Sequence, residues 1–80
     1  MPKLNQIQIE VLDYFRMIYP RAISDLDLQD HFGNQLSTYR TRRSELTQMG
    51  LILDSGETKF QAGSKRVMWI AALQQRRPTA

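Results

Sequence analysis

Residues 36–49 carry hydrogen-bonding side chains along one side of a predicted helix. At about 100° per residue, this side lies between about 40° and 140° from Leu36, and every side chain on it has a donor and none is acidic. Its members are Ser37, Arg40, Thr41, Ser44 and Gln48. Such a helix fits the DNA major groove, where Arg40 could donate two hydrogen bonds to guanine and Gln48 could contact a base or a phosphate. The alternative interpretation is a polar helix face that contacts only water.

The opposite side of the same helix is predicted to be buried. The predicted stripe is formed by Tyr39, Leu46 and Met49. Arg42 and Arg43 flank this stripe, where they could hold a phosphate backbone or pack their aliphatic stems on the core. Thr38 adds another hydroxyl that could bind a phosphate or a base. Gly50 is predicted to end the helix, since glycine is common just after a helix C-terminus.

A first helix is predicted between Asn5 and Pro20. Asn5 and Gln8 have the spacing of a capping box, and a proline disfavours helical backbone in the residue before it. The apolar residues between these ends recur on one broad face, which predicts a core contact. Ile9 and Met17 lie off that face and are candidate contacts for a homodimer, as are the apolar residues of the C-terminal segment.

A short second helix is predicted to begin at Ser24 and to end at about Phe32, before Gly33. Residues 21–23, which precede it, are long enough only for a small strand or an extended link. Ser24 is a favourable N-cap, and carboxylates in a first turn complement the helix dipole. The acidic residues could also suggest a divalent-ion site or an acid–base pair, but dipole complementarity is the favoured interpretation. They are Asp25, Asp27 and Asp30.

Residues 51–71 change to a strand-like pattern. Residues 51–53 form an apolar run, 54–56 suggest a bulge, 61–65 form the turn of a hairpin, and 66–71 return with Val67, Trp69 and Ala71 on one face. The basic residues near the turn are Lys59, Lys65 and Arg66. A basic hairpin could contact the phosphates or the minor groove beside a helix in the major groove. The alternative is an ordinary surface hairpin whose lysines discourage edge pairing.

Composition restricts the possible classes of protein. The chain has 80 residues, which predicts one domain, residues 1–73, followed by a flexible basic tail, residues 74–80. It has no cysteine and one histidine, so disulfides, thiolate zinc sites and cysteine nucleophiles are excluded. The net charge is +3, with −2 on residues 1–30 and +5 on residues 31–80, which fits a polyanionic partner. No apolar run is long enough to span a bilayer, and we expect a cytoplasmic protein without cofactors.

The stretch Ser37-Thr38-Tyr39-Arg40-Thr41-Arg42-Arg43-Ser44-Glu45-Leu46-Thr47-Gln48-Met49-Gly50-Leu51-Ile52 resembles winged helix-turn-helix domains of prokaryotic and bacteriophage type. These domains commonly read T-x-R-x-R-x-S-E-L-x-x-x-G-L-I through the recognition helix and the first wing strand. The resemblance extends over residues 4–71, with residues 54–56 and 63–69 similar to the wing of small phage-type members. It implies an α+β winged helix: a three-helix core, a short strand near residues 22–23, a β-hairpin wing and binding to duplex DNA. By this resemblance Thr38, Arg40, Thr41 and Ser44 would face the groove, with Lys65 and Arg66 on the wing.

Two functional hypotheses follow. The first is a sequence-specific or accessory double-stranded DNA-binding protein, a small regulator or a phage or mobile-element factor, with helix 36–49 in the major groove and wing 59–66 on the flanking backbone or minor groove. Because one helix reads few base pairs, this hypothesis predicts dimerisation or cooperative binding. The second is a protein-interaction module that binds and inhibits a host enzyme or polymerase. An enzyme is not expected, because no catalytic constellation is present.

Overall fold

The computed structural model describes residues 3–33 and 36–72, and these form three helices followed by an antiparallel β-hairpin. The elements are α1 (Gln6–Ile18), α2 (Asp25–Phe32), α3 (Leu36–Gln48), β1 (Ile52–Gln61) and β2 (Ser64–Ala71). This is the predicted α+β winged-helix arrangement. The predicted tail, residues 74–80, lies outside the described residues.

The two predicted N-caps are confirmed. Asn5 accepts a hydrogen bond from the Gln8 amide at 2.8 Å, and the Gln8 side chain accepts one from the Asn5 amide at 2.9 Å. Ser24 and Asp27 form the same reciprocal pair at the start of α2, with both distances 3.2 Å. Each box satisfies backbone donors that a helix N-terminus would otherwise leave without partners.

The end of α3 differs from the prediction. Gly50, with φ +81°, ends the helix as predicted: its amide donates to the Thr47 carbonyl at 3.0 Å, and the Leu51 amide donates to the Leu46 carbonyl at 2.9 Å. Met49 therefore lies in the turn and is 39% exposed, so its predicted place in the buried stripe was wrong. Its amide still donates to the Glu45 carbonyl at 3.1 Å, so Met49 keeps the helical angle, but at about 220° from Leu36 it lies at the margin of the stripe, where solvent reaches it.

The hairpin contains the predicted bulge and a tight turn. The register pairs Ile52 with Ala71 and Gln61 with Ser64, and it shifts between Asp54 and Thr58. Ala62 and Gly63 form the two-residue turn, and both have positive φ, +48° and +83°. β2 also makes an isolated antiparallel bridge from Trp69 to Ile23, which is the short strand expected before α2.

One small core joins all of these elements. α1 contributes three of the eight buried apolar side chains, and α2, α3, the bridge residue and each strand contribute one each. They are Val11, Leu12, Phe15, Ile23, Leu28, Leu46, Ile52 and Ala71. Ile9 and Met17 lie off the core as predicted, at 38% and 71% exposure. In the part of the chain that the structure describes, no helix is long and apolar enough to cross a membrane.

Candidate nucleic-acid interface

The predicted polar side of α3 is accessible. Arg40, Thr41 and Gln48 are exposed, while Thr38 and Ser44 are partly buried. The Ser37 side chain, which was also predicted to lie here, is outside the described part of the structure. We call the four described residues of the predicted polar side, Arg40, Thr41, Ser44 and Gln48, the outer face of α3; Thr38 lies about 60° beyond its edge.

Contacts on the other side of α3 determine which way the outer face points. Tyr39 stacks on Phe32 of α2 with ring centroids 4.5 Å apart. Leu46 is fully buried, and Glu45 accepts a hydrogen bond from the Gln8 side chain of α1 at 2.7 Å. Because α1 and α2 occupy this side of the helix, the donors of the outer face are directed away from both of them.

Arg43 is part of the core packing and not of the exposed surface. It is 8% exposed, and its Nε and Nη2 donate to the two carboxylate oxygens of Asp25 at 2.8 and 2.7 Å. The guanidinium carbon lies 3.9 Å from the centre of the Trp69 ring. Nη1 donates to the Thr47 hydroxyl at 3.3 Å, so each guanidinium nitrogen has a partner within the chain. Of the two roles considered for Arg43, the structure favours packing on the core, because a side chain with this little exposed surface offers little to a phosphate.

Arg42 forms an ion pair with Glu45, the acidic residue of the same helix. Its Nη2 donates to Oε2 of Glu45 at 2.9 Å, and its Nε lies 2.9 Å from Oε1 of the same carboxylate as an ion-pair contact outside hydrogen-bond geometry. The Arg42 side chain is 25% exposed. Its charge is thus largely compensated by Glu45, and Arg42 offers less to a phosphate than Arg40 does.

Lys59 and Gln61 tie the hairpin to the start of α2. Nζ of Lys59 lies 3.5 Å from Oδ2 of Asp27, and the Gln61 amide donates to Oδ1 of the same carboxylate at 2.9 Å. The Ser24 hydroxyl donates to Oε1 of the Gln61 side chain. Partial burial raises the pKa of Asp27, but hydrogen bonds from Gln61 and the Ser24 amide, with the nearby Lys59 charge, outweigh it and hold that pKa below its usual value.

The remaining basic residues lie next to the turn. Lys65 is exposed, and it is paired across the hairpin with Phe60, which is 72% exposed. Arg66 is paired with Lys59, and its Nε donates to the Gln61 carbonyl at 3.3 Å. We call residues 59–66 the hairpin tip. The sequence reasoning missed the exposure of Phe60, although its place one residue before the predicted turn could have indicated it.

Three of the six cations predicted to bind DNA are held in ion pairs: Arg42 with Glu45, Arg43 with Asp25 and Lys59 with Asp27. The other three, Arg40, Lys65 and Arg66, form no ion pair among the described side chains. On α2, Asp25 and Asp27 form ion pairs with Arg43 and Lys59, whereas Asp30 does not. In the described part of the chain, no three metal-ligating side chains are grouped as an ion site would require.

Comparison with known proteins adds no identification. No protein-family model, curated protein or solved structure matches the chain.

Proposed function

We propose that the chain binds double-stranded DNA. In this proposal the outer face of α3 enters the major groove, and the hairpin tip contacts the flanking backbone or the minor groove. The proposed role is that of a small regulator or of an accessory factor in phage or mobile-element DNA metabolism. The described surface supports a binding function of this kind more directly than any catalytic one.

The observation that carries the proposal is the state of Arg40. It is exposed in the middle of α3, it is flanked by hydroxyl and amide donors, and no described carboxylate pairs with it. A free guanidinium on an accessible helix is the group that most often reads guanine in the major groove. Lys65 at the hairpin tip is a second unpaired cation that would add a phosphate contact.

Ion pairs compensate two of the three acidic residues of α2. Acidic residues on the helix that precedes a recognition helix would repel DNA if their charges were uncompensated. Asp25 and Asp27, however, lie beside Arg43 and Lys59, with N–O distances of 2.7 and 3.5 Å. Asp30 is the exposed acid that remains on α2.

The small number of free cations also determines the expected affinity. Contacts from Arg40, Lys65 and Arg66 would neutralise about three phosphates, which corresponds to a salt slope of about −3. A single copy would therefore bind weakly at physiological salt, and two copies on adjacent half-sites would bind more tightly.

Selection of duplexes from a random pool, followed by titration of the selected duplex, tests the proposal. The Arg40→Ala variant should bind the selected duplex more weakly by about 1–3 kcal/mol and should lose preference at one or two base positions. Arg16→Ala is the matched control, because Arg16 is an exposed arginine on α1 and its removal changes the net charge equally.

Failure to select any duplex at low salt would contradict the proposal. An equal loss of affinity in Arg40→Ala and Arg16→Ala would also contradict it, because it would show that binding depends only on the net charge.

A second candidate function is a protein-interaction module. It is favoured by a groove between α1 and α2, which is described in the next subsection.

A further inference from the structure

An open groove lies between α1 and α2, away from the outer face of α3. It has a volume of about 290 Å³. We call it the α1–α2 groove, and its lining residues are Glu10, Asp13, Tyr14, Met17, His31 and Phe32. None of these residues belongs to the proposed DNA-binding surface.

Stacked aromatic rings form a wall of the groove. Tyr14 and His31 stack with centroids 3.8 Å apart and planes 9° apart. Phe32 meets both rings edge-on, at 5.8 and 4.6 Å, and stacks on Tyr39 of α3. Rings held on several sides by other rings have little rotational freedom, so this wall is an apolar surface formed before any partner arrives.

Met17 leaves the groove with uncovered apolar surface. It is 71% exposed, although its side chain is large and apolar. A methionine is flexible and adapts to differently shaped apolar partners, which is why methionines are frequent at binding surfaces.

The charge of the groove is negative. Glu10 and Asp13 are exposed on α1, and neither takes part in the three ion pairs of the described residues. Glu10 accepts a hydrogen bond from the Gln6 side-chain amide at 3.1 Å, which leaves its charge uncompensated. Two free carboxylates beside an apolar wall repel phosphate and attract a cation, so this surface is unsuited to DNA.

The shape of the groove favours a side chain of a larger partner over an enclosed small molecule. Sites for cofactors and drug-sized ligands enclose about 300–1,000 Å³ and bury most of the ligand. The α1–α2 groove, about 290 Å³, is at the lower limit of that range and is open to solvent. It suits one or two side chains of a larger partner.

We propose that the α1–α2 groove docks a cationic segment of a partner protein. A large apolar side chain of the segment packs on Met17 and Tyr14. An adjacent arginine or lysine lays its stem along the aromatic wall and places its charge between Glu10 and Asp13. The charge complementarity selects a basic partner. This part rests on the proposed function: a chain that binds DNA through α3 could bind such a partner through a separate surface.

Selection from a random peptide library displayed on phage, with the full chain as target, tests this inference. The enriched peptides should contain arginine or lysine next to a large apolar residue. A representative synthetic peptide should bind about fivefold more weakly to the Glu10→Gln/Asp13→Asn variant. It should also bind several-fold more weakly to Met17→Ser, and changes in amide chemical shifts should be confined to α1 and α2.

The control variant is Asp54→Asn/Glu57→Gln, which removes two exposed carboxylates of β1 and should bind the peptide as the parent does. The Arg40→Ala variant should also keep full peptide binding, which separates this test from the test of DNA binding. The proposal is overturned if no peptide is enriched, if the enriched peptides are neutral or acidic, or if the control variant weakens binding equally. Concentration-dependent dimerisation that is lost in Glu10→Gln/Asp13→Asn would assign the groove to a second copy of the chain and would also overturn it.

Discussion

Arg43 and Asp25 form a two-pronged ion pair between α3 and α2, with N–O distances of 2.7 and 2.8 Å. The Arg43 side chain is 10% exposed and the Asp25 side chain 23% exposed, so the pair is largely shielded from water. Trp69 of β2 covers the guanidinium at 3.9 Å. One arginine thus links the second helix, the third helix and the hairpin, which together set the orientation of the outer face of α3.

Asp25→Ala is expected to lower the free energy of unfolding by about 2–3 kcal/mol, because it removes the carboxylate from the largely buried Arg43 charge; the partial exposure of Asp25 makes the loss smaller than for a fully buried pair. Urea unfolding followed by Trp69 fluorescence measures the change. Asp30→Ala is the control, because Asp30 is exposed on the same helix, and it should stay within about 0.5 kcal/mol of the parent. The double variant Asp25→Leu/Arg43→Met should lose less free energy of unfolding than Asp25→Ala alone, because it leaves no unpaired charge in the interior. Equal effects of Asp25→Ala and Asp30→Ala would contradict a structural role for the pair.

Asp27 is expected to make stability depend on pH in the acidic range. Its pKa is lower in the folded chain than in the unfolded chain. The stability that the charged carboxylate contributes is therefore fully present above the unfolded pKa of about 3.9. The contribution is lost as the pH falls through the lower folded pKa. The difference in unfolding free energy between the parent and Asp27→Asn should therefore be largest near neutral pH and should shrink below about pH 4.

The cause of this shift can be measured separately. Gln61→Ala removes the side-chain amide that donates to Asp27 at 2.9 Å, so the pKa of Asp27 should rise in this variant. Titration of the Asp27 carboxyl carbon by NMR measures it. An unchanged pKa would mean that the contact from the hairpin does not stabilise the charged carboxylate in solution.

Ala62 is expected to be a poor residue for its position in the hairpin turn. Its φ of +48° is in the left-handed region, where a β-carbon costs about 1 kcal/mol. Ala62→Gly should therefore raise the melting temperature, because glycine adopts this backbone freely and an alanine before Gly63 does not. Ala62→Val should lower it, since β-branched residues tolerate positive φ least. A scan of thermal unfolding that ranks the two variants in the opposite order would contradict the turn geometry.

Lys65 and Lys59 should contribute unequally to DNA binding. Lys65 is exposed without an ion-pair partner in the described structure, whereas Lys59 lies 3.5 Å from Asp27. Lys65→Ala should reduce the slope of log affinity against log salt by about 0.9, with a similar loss on all duplexes. Lys59→Ala should reduce it by clearly less. Fluorescence anisotropy titrations over a range of salt concentrations measure both slopes, and a larger effect of Lys59→Ala would count against the proposed role of the hairpin tip.

The sequence alone predicted the order of the helices and strands and several of their ends, although α3 ends one residue earlier and β2 begins two residues earlier than predicted. Asn5 with Gln8, Ser24 with Asp27, and Gly50 each act on backbone groups within a few residues, so their effects can be predicted from short patterns. The bulge at 54–56 and the turn before β2 have equally local causes. The accessible donors of α3 were also predictable, because helical periodicity fixes which side chains share a face.

Only the tertiary structure decided which charged residues are free. Six arginines and lysines of residues 36–66 were predicted to contact DNA, and the sequence left both a phosphate contact and core packing open for Arg43. The partner of Arg43 is 18 residues away and that of Lys59 is 32 residues away. Whether a charge is compensated depends on which distant elements pack beside it, and no local pattern contains that information.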